Sequence, residues 1–381
     1  MREKRRKKRK NGKKNARKSI ATNMIEKIIE FCARNKFIVF VFALAATSLG
    51  WYCLKRVPLD AIPDLSDTQV IIYSRWDRSP DIMEDQVTYP IVTALLGAPK
   101  IKTVRGFSDF GFSYVYVIFE DGTDIYWARS RVIEYLSKIL PRLPEGVKTE
   151  LGPDATGVGW VFQYALVDKT GQLDLAELRS FQDWYLRYWL QSVPGVAEVA
   201  SIGGFQKQYQ VNIDPNALVA YNIPLMKIVD AIRDGNNDVG GRLMEFAGAE
   251  YMVRGRGYAK SVEDIEKIVV GGDMKGTPIL VKHLGQVVLG SEIRRGVTDL
   301  DGEGDVVGGI VVMRHGENAL NVIRRVKAKI EEIKPSLPPG VEIVTTYDRS
   351  ELIDQAIDTV TEALTLEIII VCLVIIVFLL H

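Results

Sequence analysis

The pattern of apolar positions is dominated by one uninterrupted stretch, residues 37–54, which carries no formal charge. At about 1.5 Å per residue, a helix of that length covers roughly 27 Å, close to the ~30 Å hydrocarbon core of a bilayer. Basic residues flank both ends, and Trp51 and Tyr52 occupy the place of an interfacial aromatic belt. The pattern predicts a membrane-spanning helix. A secretory signal peptide is the less favoured alternative, because such a run is shorter and is followed by small residues.

A second apolar stretch, residues 368–380, precedes the last residue of the chain. Its thirteen residues are too few to cross a bilayer. Apolar residues at helical spacing between Glu351 and Leu366 lead into it. We therefore expect residues 350–381 to form a linking helix and a second membrane span, within which this chain is truncated.

The residues before the first apolar stretch are strongly basic, with twelve Lys or Arg and one Glu in residues 1–18. We expect residues 1–23 to form a disordered tail held on the cytoplasmic side, so that the residues after the first span are exported. Residues 24–56 are expected to comprise a surface helix and the first span. A binding patch for anionic lipid or nucleic acid is an alternative role for the tail. A translation start at Met24, which would leave the tail untranslated, is the simpler interpretation. We expect no nucleic-acid partner.

Between the two apolar stretches, strand and helix periodicities alternate twice in the same order. In residues 57–153 the order is β-α-β-β-α-β, as in a ferredoxin-like unit. The order returns in residues 154–204 and 296–349, and the turns LPEGV and LPPGV occupy matching places. Residues 205–295 interrupt the second copy and are expected to fold as an inserted subdomain. The predicted fold class is therefore α+β, a membrane protein with transmembrane helices and two βαββαβ units.

The predicted elements follow from these periodicities. The first copy has strands at 69–74, 101–107, 113–119 and 148–151 and helices at 83–96 and 125–140. The second has strands at 160–167, 196–202, 308–313 and 341–346 and helices at 173–191 and 319–333. The insertion has strands at 208–213 and 278–281 and helices at 224–234 and 262–268.

The residue types that usually carry catalysis are few and scattered. The three cysteines lie in or beside the apolar stretches, so the exported part has no disulfide, zinc cluster or thiol nucleophile. The three histidines lack metal-ligand or triad spacing. These residues are Cys32, Cys53, Cys372, His283, His315 and His381. The pair Gly157 and Gly159 precedes a strand instead of opening a helix, which disfavours a dinucleotide site. We expect no enzyme activity and no cofactor.

Two weaker signals concern metal ions. The connector from Val57 to Asp67 carries three Asp residues but lacks the Gly and closing Glu of a calcium loop, so a solvated loop is the favoured interpretation. Methionine thioethers suit monovalent copper or silver, although scattered methionines are usually core filler. Met244 and Met252 lie close together in the insertion. The exported methionines are Met83, Met226, Met244, Met252, Met274 and Met313.

Several long stretches resemble the heavy-metal efflux members of the resistance-nodulation-division (RND) transporters, and among them the copper/silver exporters. They are VPLDAIPDLSDTQVII (57–72), TVRGFSDFGFSYVYVIFEDGTDIYWARSRVIEYL (103–136), LGPDATGVGWVFQYALVD (151–168), LRSFQDWYLRYWL (178–190), DGEGDVVGGIVVMR (301–314) and GVEIVTTYDRSELID (340–354). The resemblance runs from Met24 to His381.

The resemblance implies a fold and a set of partners. It implies two porter subdomains of ferredoxin-like type, 57–153 and 154–204 with 296–349, and a docking subdomain at 205–295. Such proteins form homotrimers in the bacterial inner membrane, with a large periplasmic domain and several spans. They export metal ions by proton exchange through a periplasmic adaptor and an outer-membrane channel, and their chains are more than twice this length.

The resemblance also limits which sites are expected here. The proton-relay residues and the three-methionine metal site of the family lie beyond residue 381. Copper/silver members have a methionine at the position of Ile293 in GSEIRRG. If methionines pass the ion along a relay, the step at this position is missing or relocated here. The sequence thus predicts the N-terminal part of a proton-driven copper or silver exporter. The alternatives are an RND pump for organic compounds and a membrane-anchored periplasmic adaptor or sensor module.

Overall fold

The structure, a computed structural model, describes residues 30–54, 60–272, 276–294 and 296–380. It divides into two compact units, Met1–Leu59 and Asp60–His381. The first unit contains helix α1, Lys36–Leu54, which is apolar along its length. The predicted basic tail and the first half of the predicted surface helix, residues 24–29, lie outside the described residues.

The first sheet belongs to the second unit and has four antiparallel strands in the order β2-β3-β1-β4. Alternate residues of β1 and β3 face the two helices and form one core, which includes Ile72, Val117, Ile91 and Val132. The elements are β1 (Gln69–Arg75), α2 (Pro80–Met83, Glu84–Thr88 and Tyr89–Leu95), β2 (Ile101–Asp109), β3 (Phe112–Phe119), α3 (Ile125–Ile139) and β4 (Lys148–Leu151).

Helix α2 begins three residues earlier than predicted and continues past Pro90. Proline has no backbone N–H to donate and its ring crowds the preceding turn. The segment Glu84–Thr88 is a π-helical turn, in which the Tyr89 N–H donates to the Glu84 carbonyl five residues back. This wider turn accommodates the proline, so the helix continues without a break.

The chain then forms the first half of a second layered unit, followed by a separate insertion. The elements of the half unit are β5 (Trp160–Asp168), α4 (Leu175–Phe181, Gln182–Leu186 and Arg187–Gln191) and β6 (Val196–Gly203). Helix α4 begins at Leu175, two residues after the predicted start. Asp174 accepts from the Glu177 N–H and Glu177 reaches back to the Asp174 N–H, which is a capping box.

The insertion has its own apolar core, which includes Ile228, Ile265, Val281 and Val287. Its strands pair locally, β7 with β12, β8 with β9, and β10 with β11. The sequence did not predict α5, β10, β12 or the hairpin β8–β9. The elements are β7 (Lys207–Ile213), α5 (Pro215–Tyr221), α6 (Leu225–Gly235), β8 (Val239–Phe246), β9 (Ala249–Gly255), α7 (Val262–Glu266), β10 (Val269–Gly272), β11 (Pro278–Leu280) and β12 (Gly285–Ser291).

The second sheet is completed after the insertion and has the order β14-β5-β13-β6, again antiparallel. Taken in chain order within each sheet, the strands occupy the same places as in the first sheet. Every residue of β13 is buried, whereas the other inner strand of this sheet, β5, keeps exposed and half-buried residues. The elements are β13 (Val307–Met313), α8 (Ala319–Ile333), β14 (Val341–Asp348) and α9 (Arg349–Leu380).

Helix α9 joins the predicted linking helix and the second apolar stretch into one element of 32 residues. Of the apolar face predicted for its first part, Ile353 is fully buried and Ile357 packs partly against the second core, whereas Leu352, Val360 and Leu364 are exposed. Among the described residues, α1 and α9 are the helices long and apolar enough to cross a membrane.

Candidate functional site

A cleft of about 630 Å³ lies where the first sheet, the second sheet and the insertion meet. Arg75 and Phe112 come from the first sheet, and Arg179 and the end of β6 come from the second. Residues 292–294 and 296–298 form the wall where the chain returns from the insertion. Side chains from all three modules therefore line one space.

The charged residues of the cleft are paired with one another or with their neighbours. Arg75 forms an ion pair with Glu292 across 217 positions of sequence. Its guanidinium also lies 5.9 Å from the centre of the Phe112 ring. Arg294 Nη2 lies 2.6 Å from an oxygen of Asp305. The pairs tie the insertion to the first sheet and to the chain leading into β13.

A third guanidinium, that of Arg179, is bonded to the last residue of β6 in the second sheet. Arg179 Nε donates to Asp183 at 2.8 Å, and Nη1 donates to the Gly203 carbonyl at 2.6 Å. Each of the three arginines that line the cleft is therefore paired with a carboxylate, and of these three carboxylates Glu292 lines the cleft itself.

Two adjacent glycines allow the chain to turn at the edge of the cleft. Gly203 and Gly204 have φ of +69° and +65°. A Cβ on Gly203 would lie 2.9 Å from the Thr298 side chain, and one on Gly204 would lie 2.9 Å from the Leu175 carbonyl. Glycine adopts this left-handed conformation without a steric cost. The run therefore lets β6 end and the insertion begin at the cleft.

Ile293, the position singled out in the sequence, lies in the wall of the cleft and is 74% exposed. The apolar residues Phe112 and Val297 share the wall with it. Among the described residues, none that lines the cleft carries a thioether. The cleft therefore offers guanidinium, carboxylate, amide and hydrocarbon groups, which are poor ligands for a soft monovalent metal.

The methionines that the structure describes are not brought together by the fold. Met83 and Met313 are buried in the cores of the first and second sheets, and Met226 is exposed on α6. In the hairpin, Leu243 lies opposite Met252 and Met244 lies opposite Tyr251. Because directly opposed residues share a face and neighbours alternate, Met244 and Met252 lie on opposite faces. Met274 is outside the described residues.

The described histidines and the acidic connector take part in hydrogen bonds within the chain. His283 Nδ1 accepts from the backbone N–H of Leu280 at 3.2 Å, and the backbone N–H of His315 donates to the Asp154 carbonyl at 2.9 Å. The remaining histidine, His381, lies outside the described residues. Asp64 accepts from the Ser66 N–H at 3.0 Å.

The carboxylates of the connector point to different partners. Asp67 accepts from Lys102 at 3.1 Å, and an oxygen of Asp60 lies 3.0 Å from Arg349 Nε. Burial by itself would raise the pKa of Asp64, but hydrogen bonds from Thr156 and Ser66 lower it overall. Within the described ranges, no group of three or more His, Cys, Asp or Glu side chains is placed to hold a metal ion.

The hairpin β8–β9 is exposed at every residue. Its apolar side chains include Leu243 at 57%, Phe246 at 70% and Met252 at 80% exposure. A two-stranded hairpin is marginally stable by itself, and clustered exposed apolar groups mark interaction surfaces. The hairpin therefore exposes apolar side chains on both of its faces.

Comparisons with known proteins agree over most of the chain. A model of the AcrB/AcrD/AcrF family matches residues 28–381. The chain is 53% identical over 359 residues to the cation efflux system protein CusA of Escherichia coli K12, covering 94% of this chain and 34% of CusA. It is 52% identical, with the same coverage, to the putative cation efflux system protein SilA of Salmonella typhimurium.

More distant relatives and solved structures show the same relationship. The chain is 37% identical over 364 residues to the cobalt-zinc-cadmium resistance protein CzcA of Cupriavidus metallidurans, covering 93% of this chain and 34% of CzcA. A crystal structure of a heavy metal efflux pump matches with a TM-score of 0.79 at 34% identity, covering 87% of this chain and 33% of that chain. The chain spans about a third of the length of the relatives that it matches.

Proposed function

The chain belongs to the AcrB/AcrD/AcrF family of RND transporters, and from this premise we propose that it is the N-terminal part of a proton-driven exporter of copper or silver ions. The observation that carries the proposal is the 53% identity to a cation efflux protein over 94% of this chain. The identity to the cobalt-zinc-cadmium relative is lower, 37%. This difference favours a monovalent soft metal as the exported ion.

The layered units fit the roles of the family's exported subdomains. We assign residues 57–153, and 154–204 with 296–349, to two ferredoxin-like porter subdomains. The support is the shared strand order of the two four-stranded sheets. Residues 205–295 are assigned to the docking subdomain, because they form a separate core between β6 and β13.

The proposed location is the bacterial inner membrane, with the two porter subdomains and the insertion in the periplasm. The length and composition of α1 and α9 support two spans in a lipid bilayer. Residues 350–381 then carry the chain from the second porter subdomain into the membrane. The proposed protein spans the membrane more than twice, since the relatives are about three times as long.

The proposed assembly is a homotrimer that works with a periplasmic adaptor and an outer-membrane channel. The exposed hairpin β8–β9 supports the trimer, because its apolar side chains need a covering surface. Replacing Leu243, Phe246 and Met252 by serine in the full-length protein should convert trimers to monomers in mass photometry. The matched control is Val219→Ser, which removes an apolar side chain that is 82% exposed elsewhere in the insertion. Trimers that survive the triple replacement would remove this support.

The cleft is proposed as part of the route of the exported ion, although it lacks soft ligands in this chain. Ile293 stands where the resemblance implies a methionine, and it is exposed to the cleft. We infer that the ion is held elsewhere in the full-length protein and passes the cleft without a thioether contact. The same lack of soft ligands favours the second candidate, an RND pump for organic compounds.

The test uses the full-length gene in a bacterium that lacks its own copper and silver exporters. The proposal expects higher tolerance to silver and copper than the empty vector gives, and no change in tolerance to zinc. Tolerance to dyes and detergents is measured in the same strains. Protection against dyes but not against metals would favour the organic-compound pump and refute the metal exporter. Protection against neither would refute both transport hypotheses.

A further inference from the structure

The first residue of α9 is a buried arginine. Arg349 is 1% exposed and is the largest of the fully buried side chains in the described part of the chain. Burying a guanidinium is costly unless charged and hydrogen-bonding partners surround it. The partners of Arg349 therefore show which parts of the chain hold its side chain in place.

Those partners come from two segments that are distant in sequence. Arg349 Nη1 donates to the Val158 carbonyl at 2.5 Å, and Nη2 donates to the Ile62 carbonyl at 3.1 Å. Nε lies 3.0 Å from a carboxylate oxygen of Asp60. We call these four residues the Arg349 junction. It joins the start of α9 to the segment at 60–62 and to the segment that connects the two sheets.

The connecting segment, residues 152–159, is itself held by both layered units. Tyr126 of α3 donates its hydroxyl to Asp154 at 3.2 Å, and Arg314, which follows β13, lies 3.7 Å from the same carboxylate. Asp154 thus links the first layered unit, which contains the first sheet, to the second layered unit, which contains the second sheet. A change in the relative position of these two layered units must move this segment, and with it the Val158 carbonyl that Arg349 binds.

A second set of bonds secures the first turn of α9. Asp348 accepts from the N–H of Ser350 at 2.9 Å and from its hydroxyl at 2.6 Å, which caps the helix. Lys327 of α8 pairs with Asp348 and donates to the Ser350 hydroxyl at 3.1 Å. The first turn is therefore fixed to β14 and α8 as well as to the connecting segment.

We propose that Arg349 is a positioning residue that transmits movement between the two porter subdomains to α9. The guanidinium presents several donors in a fixed plane, so it donates to two carbonyls at once while its charge lies beside the Asp60 carboxylate. A lysine ammonium keeps the charge but cannot match that planar arrangement. Since α9 continues unbroken for 32 residues, displacement of its first turn displaces the whole helix. The consequence for transport rests on the proposed function; the mechanical link does not.

The experiment uses the full-length protein with Arg349→Lys, Asp60→Asn and the control Arg325→Lys. Arg325 lies on α8 and pairs with Glu317 at 3.4 Å with its side chain 39% exposed. Hydrogen exchange measures the mobility of residues 152–159 and 349–353, and silver uptake into proteoliposomes measures turnover and KM. Thermal melting of each variant measures its stability.

For Arg349→Lys the proposal expects faster exchange in both segments and a turnover roughly 3- to 30-fold lower. KM and the melting temperature should stay close to those of the wild type, and Asp60→Asn should have a smaller effect in the same direction. Unchanged exchange or unchanged turnover would overturn the proposal, and so would an equal loss of turnover, affinity and stability, which indicates a structural role. A wild-type protein that transports no silver would refute the proposed function alone, because hydrogen exchange would still test the link between the connecting segment and α9.

Discussion

Gly309 in the inner strand β13 provides a sharp test of how the second sheet is packed. It lies directly opposite Tyr164 of β5, and a Cβ added to it would lie 2.7 Å from Cε1 of the Tyr164 ring. Tyr164 is fully buried, and its hydroxyl donates to Gln182 Oε1 at 2.9 Å. Gln182 in turn donates to Ser201 at 3.3 Å. The ring therefore lies across the glycine and is held at its far end.

The magnitude of the Gly309→Ala effect can be worked out from these contacts. Inserting a methyl group into a packed core costs about 1–3 kcal/mol. Moving the ring away would break its bond to Gln182 and leave a buried acceptor unsatisfied, which costs about 1–3 kcal/mol more. We expect a loss of about 3 kcal/mol, which at about 2–4 °C per kcal/mol lowers the melting temperature by roughly 6–12 °C.

The assay is thermal unfolding of the purified chain in detergent, followed by tryptophan fluorescence. A double-mutant cycle with Tyr164→Leu isolates the contact, because Gly309→Ala should cost less than about 1 kcal/mol once the ring is gone. Gly97→Ala is the control, since a Cβ there meets nothing within 4 Å. If Gly309→Ala is as mild as the control, or if its effect adds independently to that of Tyr164→Leu, the packing argument is refuted.

The remaining predictions concern pH and metal ligands. Burial and the hydrogen bond to Glu150 raise the pKa of Tyr73 to about 12, so its contribution to stability is complete below its unfolded pKa of about 10 and is lost as pH rises towards 12. Tyr73→Phe should make the denaturation midpoint depend less steeply on pH over that range. A midpoint that falls as steeply in Tyr73→Phe as in the wild type would contradict the assignment. Replacing Met244 and Met252 by leucine should leave silver binding to the full-length protein unchanged in titration calorimetry, because the thioethers lie on opposite faces of the hairpin; a loss of binding would show that they converge. Ile293→Met should change the free energy of unfolding by less than about 0.5 kcal/mol, as expected for an exposed site, and should raise silver affinity in the same titration; no gain would show that a thioether in the cleft does not bind the ion.

Much of the fold could be predicted because the signals are local. Helix α8 was predicted with its observed bounds, since its apolar residues recur at helical spacing and Asn318 caps its first turn. The repeated turns LPEGV and LPPGV place Gly146 and Gly340 at φ of +88° and +84°, a conformation that favours glycine.

The elements that sequence reasoning missed lack such signals. Both faces of the hairpin β8–β9 are exposed, so its residues show no alternation between apolar and polar positions. Helix α5 has seven residues, too few for a clear period. Of the residues in the cleft wall, the resemblance singled out Ile293, and nothing in the sequence indicated that Phe112 and Arg179 meet it in one space.

What the sequence by itself determined is the order of elements outside the insertion: two apolar helices and two copies of one strand and helix order, the second of them interrupted by an insertion. Only the tertiary structure decided which charges meet. Arg75 reaches Glu292 across 217 positions, and Arg349 reaches Val158 and Ile62 across 191 and 287. Periodicity and turn chemistry act over a few residues, whereas the partner of a buried charge depends on how the sheets and the insertion pack.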